Sequence, residues 1–273
     1  MADIVSILAC SHTPVMLNFP DAVSQLEREE IFGHFQALGQ TIAKARPQAL
    51  VVLCDDHVHN FFLNNLPAFC IGAAPHYKSP VEHWLKAEKR VLPGDAQLGA
   101  YLLNAVMESG FDPALSMELT LDHGVLTPLV LAQVAGQLPI VPILINCVQP
   151  PLPSMKRCFD FGVALGDAIR SYSGLERIAI LASGGLSHDL STPRMGMVNE
   201  QFDRGFLRSL ELGDAAEAIR FASKHVHEAG NGAEEVRMWL MAFGAARAAR
   251  FETHFYRAVP SWYTGIGLGE WRL

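Results

Sequence analysis

Charge is scarce in this chain. Asp, Glu, Lys and Arg make up 18% of its 273 residues, against about a quarter in an average soluble domain. Hydrophobic residues reach 50%, enough for a sizeable core, which excludes a mainly disordered chain. The charges present sum to −7, and no basic stretch offers a footprint for nucleic acid or anionic lipid. Long apolar runs are also lacking despite a mean hydropathy of +0.18. The longest, Leu138–Ile145, is strand-sized and holds prolines, so no membrane span is expected. The opening MADIVSILACSH has no basic region and does not read as a signal peptide. Cysteine is sparse and odd in number, five at irregular spacings, which suits a reducing cytoplasm better than a disulfide scaffold. There is no phosphate loop and no GxGxxG after a strand, which removes the simple nucleotide-binding readings. GLSHD is not a GxSxG elbow, so Ser183 and Ser187 give only a weak hydrolase signal.

Four continuous aliphatic runs are present: Ile4–Ala9, Ala49–Cys54, Ile140–Asn146 and Arg177–Ala182. Continuity rather than alternation marks strands buried on both faces. Amphipathic segments separate them and predict helices over Asp21–Arg46, Asp95–Ser109, Pro128–Ala135, Lys156–Tyr172, Asn199–Leu212 and Ala233–Ala249. This alternation implies one α/β domain over residues 1–273, with a central mixed or mostly parallel sheet covered by helices. Leu66–Leu92 reads as an irregular excursion, the chain beyond Asn199 as mainly helical, and GIGLGE near the end as a turn.

Histidine is plentiful, with eleven residues, and its placement is informative. His12, His57 and His188 each follow the carboxyl end of a predicted strand, where ligand crevices form in open α/β sheets. His123 lies in LDHGVLTP, a polar turn before a helix, and Glu235 opens the helix GAEEVRMWLMAF. Singly, a histidine after a strand is more often a turn or capping residue, and Glu234 and Glu235 answer the helix dipole. Three repeats of one arrangement favour a site. Two histidines and a carboxylate are the facial triad of mononuclear non-haem iron enzymes, with further histidines as acid/base groups. A competing set, Cys10, His12, Cys54 and His57, has the composition of a zinc site. His59 faces the same side as His57 in an extended segment and reads equally as a substrate contact or a surface residue. His225 and His227 read as solvent-facing, and His34, His76, His83 and His254 as structural or exposed. Met238, Trp239, Met241 and Phe243 form a core stripe.

The segments CSHTPVM (Cys10–Met16), VVLCDDHVHNFF (Val51–Phe62), LPAFCIG (Leu66–Gly72), LDHGVLTPL (Leu121–Leu129), ASGGLSHDL (Ala182–Leu190) and AEEVRMWLMAFGA (Ala233–Ala245) occur in an order that resembles the class III extradiol ring-cleavage dioxygenases. Both the catalytic subunit of protocatechuate 4,5-dioxygenase and the 2,3-dihydroxyphenylpropionate 1,2-dioxygenases are similar. The resemblance implies an α/β sandwich and Fe(II) held by His12, His57 and Glu235. Glu235 is preferred because it stands four residues before Trp239; a register shift would bring in Glu234. His188 and His123 match the acid/base pair, and Asp122 is expected to support His123. The implied reaction is extradiol cleavage of a catecholic acid by dioxygen, giving a ring-opened semialdehyde-type product. Aminophenol cleavage is the alternative within the family's chemistry; the alternatives of another class are a zinc-binding hydrolase and a non-catalytic metal-binding relative that keeps the fold. Two departures stand out. The chain has no fused lid domain, so a small lid subunit or a more open pocket is expected, and it is compact between GGLSH and the glutamate helix. Self-association into a homo-oligomer follows family habit.

Overall fold

The computed structural model describes residues 1–273. In chain order the elements are β1 (Asp3–Cys10), α1 (Val15–Asn18), α2 (Gln25–Ala45), β2 (Ala49–Asp55), β3 (Phe69–Gly72), β4 (His76–Ser79), β5 (Arg90–Pro93), α3 (Ala96–Glu108), β6 (Ala114–Ser116), α4 (His123–Leu131), β7 (Ile140–Ile145), α5 (Met155–Ser171), β8 (Arg177–Ser183), α6 (Glu200–Glu211), α7 (Ala215–His225), α8 (Val236–Ala246), β9 (Arg250–Val259) and β10 (Thr264–Arg272). The four aliphatic runs form β1, β2, β7 and β8. Helix starts follow side-chain caps: Ser24, Asp95, Ser154, Asn199 and Asp214 each accept a backbone N–H of the first turn. The helix expected from Asp21 therefore begins at Gln25, and Asp21 lies in a preceding 3-10 turn.

One eight-stranded mixed sheet runs in the order β6-β3-β7-β2-β8-β1-β10-β9. Its centre, β7-β2-β8-β1, is parallel, while β10 lies antiparallel to β1 and β9 antiparallel to β10. Side chains alternate between two apolar layers. Ile7, Ala9, Val51 and Leu53 face the α3/α5/α8 side, and Leu8, Cys10, Val52 and Cys54 face the α2/α4 side. The α/β architecture expected from the sequence is thus present. Register does the positioning. Cys10 pairs with Ser183 and Leu53 with Ala182, so β1, β8 and β2 end side by side at one sheet edge.

Four expectations need correction. Leu66–Leu92 is not wholly irregular, since it supplies β3 to the main sheet and most of the β4–β5 hairpin. The chain beyond Asn199 ends in strands, and GIGLGE is the middle of β10 rather than a turn. Its glycines hid it, because glycine weakens a strand signal. Packing explains them. A Cβ at Gly265 would collide with the Asp203 carboxylate, and one at Gly267 would lie 2.8 Å from Leu186 Cδ1. Finally, the helix expected at Pro128–Ala135 starts earlier, at His123, with Asp122 as its cap and Pro128 inside it.

Asp203 cannot retreat from Gly265, because it accepts from the Ser187 amide (2.8 Å), the Ser187 hydroxyl (2.9 Å) and Tyr256 (2.8 Å). Gly265→Ala is therefore expected to destabilise the fold by about 1–3 kcal/mol despite alanine's lower chain entropy. Urea unfolding measures this, and a stability gain would refute the packing account of β10.

Candidate metal centre and active-site cavity

The shared edge of β1, β8 and β2 places His12, the GGLSH loop and His57 around one point, and Glu235 enters from the 3-10 turn before α8. His12 Nε2 lies 3.4 Å from His57 Nε2, while Glu235 approaches His12 at 3.7 Å through one oxygen and His57 at 3.6 Å through the other. Glu234, the alternative under a register shift, instead pairs with Arg237. His12, His57, Glu235 and Asp55 form one group whose ligating atoms lie within 4.8 Å of one another. Sequence reading missed Asp55, whose Oδ2 is 3.4 Å from His57 Nε2. His123 also falls within ligating distance of His12 and His57.

The anchors of these side chains decide where their hydrogens sit. His12 Nδ1 is 3.0 Å from Ser183 Oγ, whose own hydrogen goes to the Gly124 carbonyl at 2.6 Å. The hydroxyl is left as acceptor, so His12 carries hydrogen on Nδ1. Asp122 Oδ2 accepts from both the amide (3.0 Å) and Nδ1 (2.9 Å) of His57. With both Nδ1 atoms engaged, the two Nε2 atoms face each other and a carboxylate, an arrangement that calls for a cation between them, a proton on His57 or a metal ion. Two imidazoles and a carboxylate on one side of a shared point suit a divalent transition metal. By contrast, Cys10 and Cys54 point into the α2/α4 layer, and burial pushes both thiols up, far from the thiolate a zinc set needs. The Cys2His2 alternative has no geometric support.

The local field agrees. Burial pulls His12 down to about 3, keeping it neutral. Burial also pulls on His57, but Asp55 and Asp122 outweigh it and hold that imidazole well above its usual value. Glu235 sits below the carboxylate range because His12, His188 and His57 overcome its burial. Asp122 is likewise lowered, since His57 and then His123 overcome burial, whereas burial keeps Asp55 raised.

Asp122 does not support His123; it grips His57. His123 is held by Glu82, which accepts from its Nδ1 at 2.6 Å and from its amide at 2.9 Å. No pattern in the sequence pointed to Glu82. His188 donates Nδ1–H to the Leu186 carbonyl (3.0 Å), and its Nε2 is 3.6 Å from Glu235. A side chain on Gly232 would occupy the space of that ring. His12, His57, His123, His188 and Glu235 open onto a cavity of about 440 Å³ walled by Pro14, Val15, Trp84, Leu190, Met195 and Trp262, with Thr13, Tyr263, Thr264 and His59 among its polar contacts. His59 is thus a cavity residue. His225 pairs with Glu228 at the surface, as expected of a solvent-facing residue.

Residues 6–267 match the family described as the catalytic LigB subunit of aromatic ring-opening dioxygenase. The chain belongs to that family. Similar to this ring-opening dioxygenase are 2,3-dihydroxyphenylpropionate/2,3-dihydroxicinnamic acid 1,2-dioxygenases of Paraburkholderia xenovorans, 30% identical over 96% of each chain, and of Photorhabdus laumondii, 28% identical over 97% of this chain and 96% of the relative. An uncharacterized Escherichia coli K12 protein of known crystal structure aligns over 98% of this chain and all of its own, with a TM-score of 0.67 at 17% identity, a likeness of fold. The protein is an enzyme of extradiol ring opening, and its family carries a metal.

Because Asp55 and Asp122 outweigh burial and raise His57, a metal ion bound at its Nε2 would compete with a proton there. Loading at neutral pH is expected to release about one proton, with affinity falling as pH drops. Calorimetry in buffers of different ionisation enthalpy reads this directly. Heat independent of buffer would contradict it.

Proposed function

We propose that the metal is Fe(II), held by His12, His57 and Glu235, and that the substrate is a catecholic aromatic acid opened beside its diol. The convergence of two Nε2 lone pairs on the Glu235 carboxylate, each imidazole fixed through Nδ1, carries this reading. The names of the relatives support an acid on the ring. Fe(II) held there would supply Lewis acidity toward the catechol oxygens and activation of dioxygen. The chain does the rest. Trp84, Trp262, Leu190 and Met195 pack on the ring and exclude water. His188 and His123 take phenolic protons at Nε2 and return them to oxygen as the ring opens. Asp122 fixes the His57 tautomer, and the Gly185 amide (2.5 Å) fixes one oxygen of Glu235.

We also place the protein in the cytoplasm, as its five unpaired buried cysteines support. No helix is long and apolar enough to cross a membrane. A covering chain completes the site, either a small lid subunit or a second copy in a homo-oligomer. Trp84, Leu190 and Met195 at the cavity are 47%, 42% and 46% exposed, which supports a cover there.

The test is oxygen uptake after anaerobic Fe(II) loading, across catechols and aminophenols, with and without a carboxylate. Uptake matched by a yellow ring-opened product is expected for catecholic acids, and zinc-loaded protein should be inert. His188→Ala should keep its iron and lose about 10²–10⁴-fold in kcat. Wild-type turnover with zinc, or full activity in His188→Ala, would overturn the assignment. Asp122→Ala should weaken metal binding about 10–100-fold by chelator competition. Unchanged affinity would remove Asp122 from the metal centre.

A further inference from the structure

One buried carboxylate near the cavity is explained neither by the metal triangle nor by folding. Glu82 lies on the arm that leaves β4, and its side chain is fully enclosed. Oε1 accepts from the amide and from Nδ1 of His123, yet Oε2 is buried with no hydrogen-bond partner. An enclosed carboxylate with one unmet oxygen weakens a fold, so stability alone does not account for it.

The arm is fastened to the turn that carries His123. Val81 N–H donates to the Leu121 carbonyl (3.0 Å), Leu121 N–H to the Lys78 carbonyl (2.9 Å), and Ser79 Oγ to the Leu121 carbonyl (3.1 Å). Glu82 therefore cannot drift relative to the ring it holds. The same two-point grip occurs a second time in the molecule. Asp122 takes the amide and Nδ1 of His57 at 3.0 and 2.9 Å, and Glu82 takes the amide and Nδ1 of His123 at 2.9 and 2.6 Å. In each case an acceptor-only group places hydrogen on Nδ1 and leaves Nε2 as a lone pair. On His57 that lone pair faces the metal point. On His123 it is the nitrogen left for the cavity that the ring lines.

Resting on the reading of His123 as a proton carrier, we propose that Glu82 is its positioning residue, fixing tautomer and ring orientation through the two-point grip. Glu82 touches neither substrate nor metal in this role; it acts through His123. The orphan Oε2 then follows from geometry. The carboxylate is placed for Oε1 to bridge two donors of one residue, and its other oxygen is left against the packing.

Two independent measurements test this. In the metal-free protein, ¹⁵N spectra of the histidine side chains should show His123 as the Nδ1–H tautomer in the wild type and as a mixture in Glu82→Ala. Glu82→Gln, which keeps an acceptor oxygen and the side-chain shape, should stay close to the wild type. In iron-loaded enzyme, Glu82→Ala should lower kcat about 10–100-fold, the range seen when an outer partner of a working histidine is removed, with KM within about twofold and iron content unchanged. Glu82→Gln should recover much of that loss. In a His123→Ala background, Glu82→Ala should cost nothing further, since residues acting as one unit are non-additive. Additive losses, or a wild-type tautomer in Glu82→Ala, would overturn the proposal. Should Glu82→Ala fail to fold, the Glu82→Gln arm decides, with loss of iron alongside activity counting against positioning. A wild type without ring opening would sink the functional reading, while the tautomer measurement would still judge the grip.

Discussion

Four imidazoles converge on the cavity, and each has its Nδ1 held by a buried acceptor: Ser183 for His12, Asp122 for His57, Glu82 for His123 and the Leu186 carbonyl for His188. An unheld imidazole flips its ring and exchanges tautomers, and a site made of such groups presents hydrogen where it needs a lone pair. The fold must deliver each histidine together with its acceptor. β8 supplies the anchor for a histidine that follows β1, the cap of α4 supplies the anchor for one that follows β2, and the arm after β4 reaches back to the first turn of α4. The order of strands in the sheet makes these pairings possible.

The same arrangement concentrates negative charge in the interior. Asp55, Asp122, Glu82 and Glu235 are all buried beside the histidines. In a low-dielectric setting such a group of carboxylates is costly without cations to balance it. The shifts in their titration describe that tension: Asp55 is pushed toward neutrality by burial, while Asp122 and Glu235 are kept ionised by neighbouring imidazoles. A divalent ion relieves it. The charge distribution that favours a bound cation is the same one that burial opposes when the cation is absent.

Much of this was legible in the sequence because strand ends are legible. His12, His57 and His188 stood after continuous apolar runs, and the parallel centre of the sheet brought them together. Asp122 was read as a partner of its neighbour His123. At a helix start, however, the cap and the first residue project differently, so its carboxylate serves His57, 65 residues away. Glu82 carried no signal, since the contact spans 41 residues and its segment has no period. Cys10 and Cys54 looked like ligands by spacing, but strand alternation turns them into the opposite layer from Ala9 and Leu53. β10 was lost because the close approach of Asp203 and Leu186 demands glycine where a strand otherwise takes branched residues.

β10 also governs when the centre can exist. It pairs with β1, joining Cys10 to Leu268, and the turn before it contributes Trp262 and Tyr263 to the cavity that begins at His12. During synthesis the first histidine emerges long before the strand that closes its sheet edge. Until some 250 further residues are made, β1 lacks its antiparallel neighbour and the cavity lacks a wall. The pocket around His12 is therefore completed from the two far ends of the described chain, and is closed only once β10 has docked on β1.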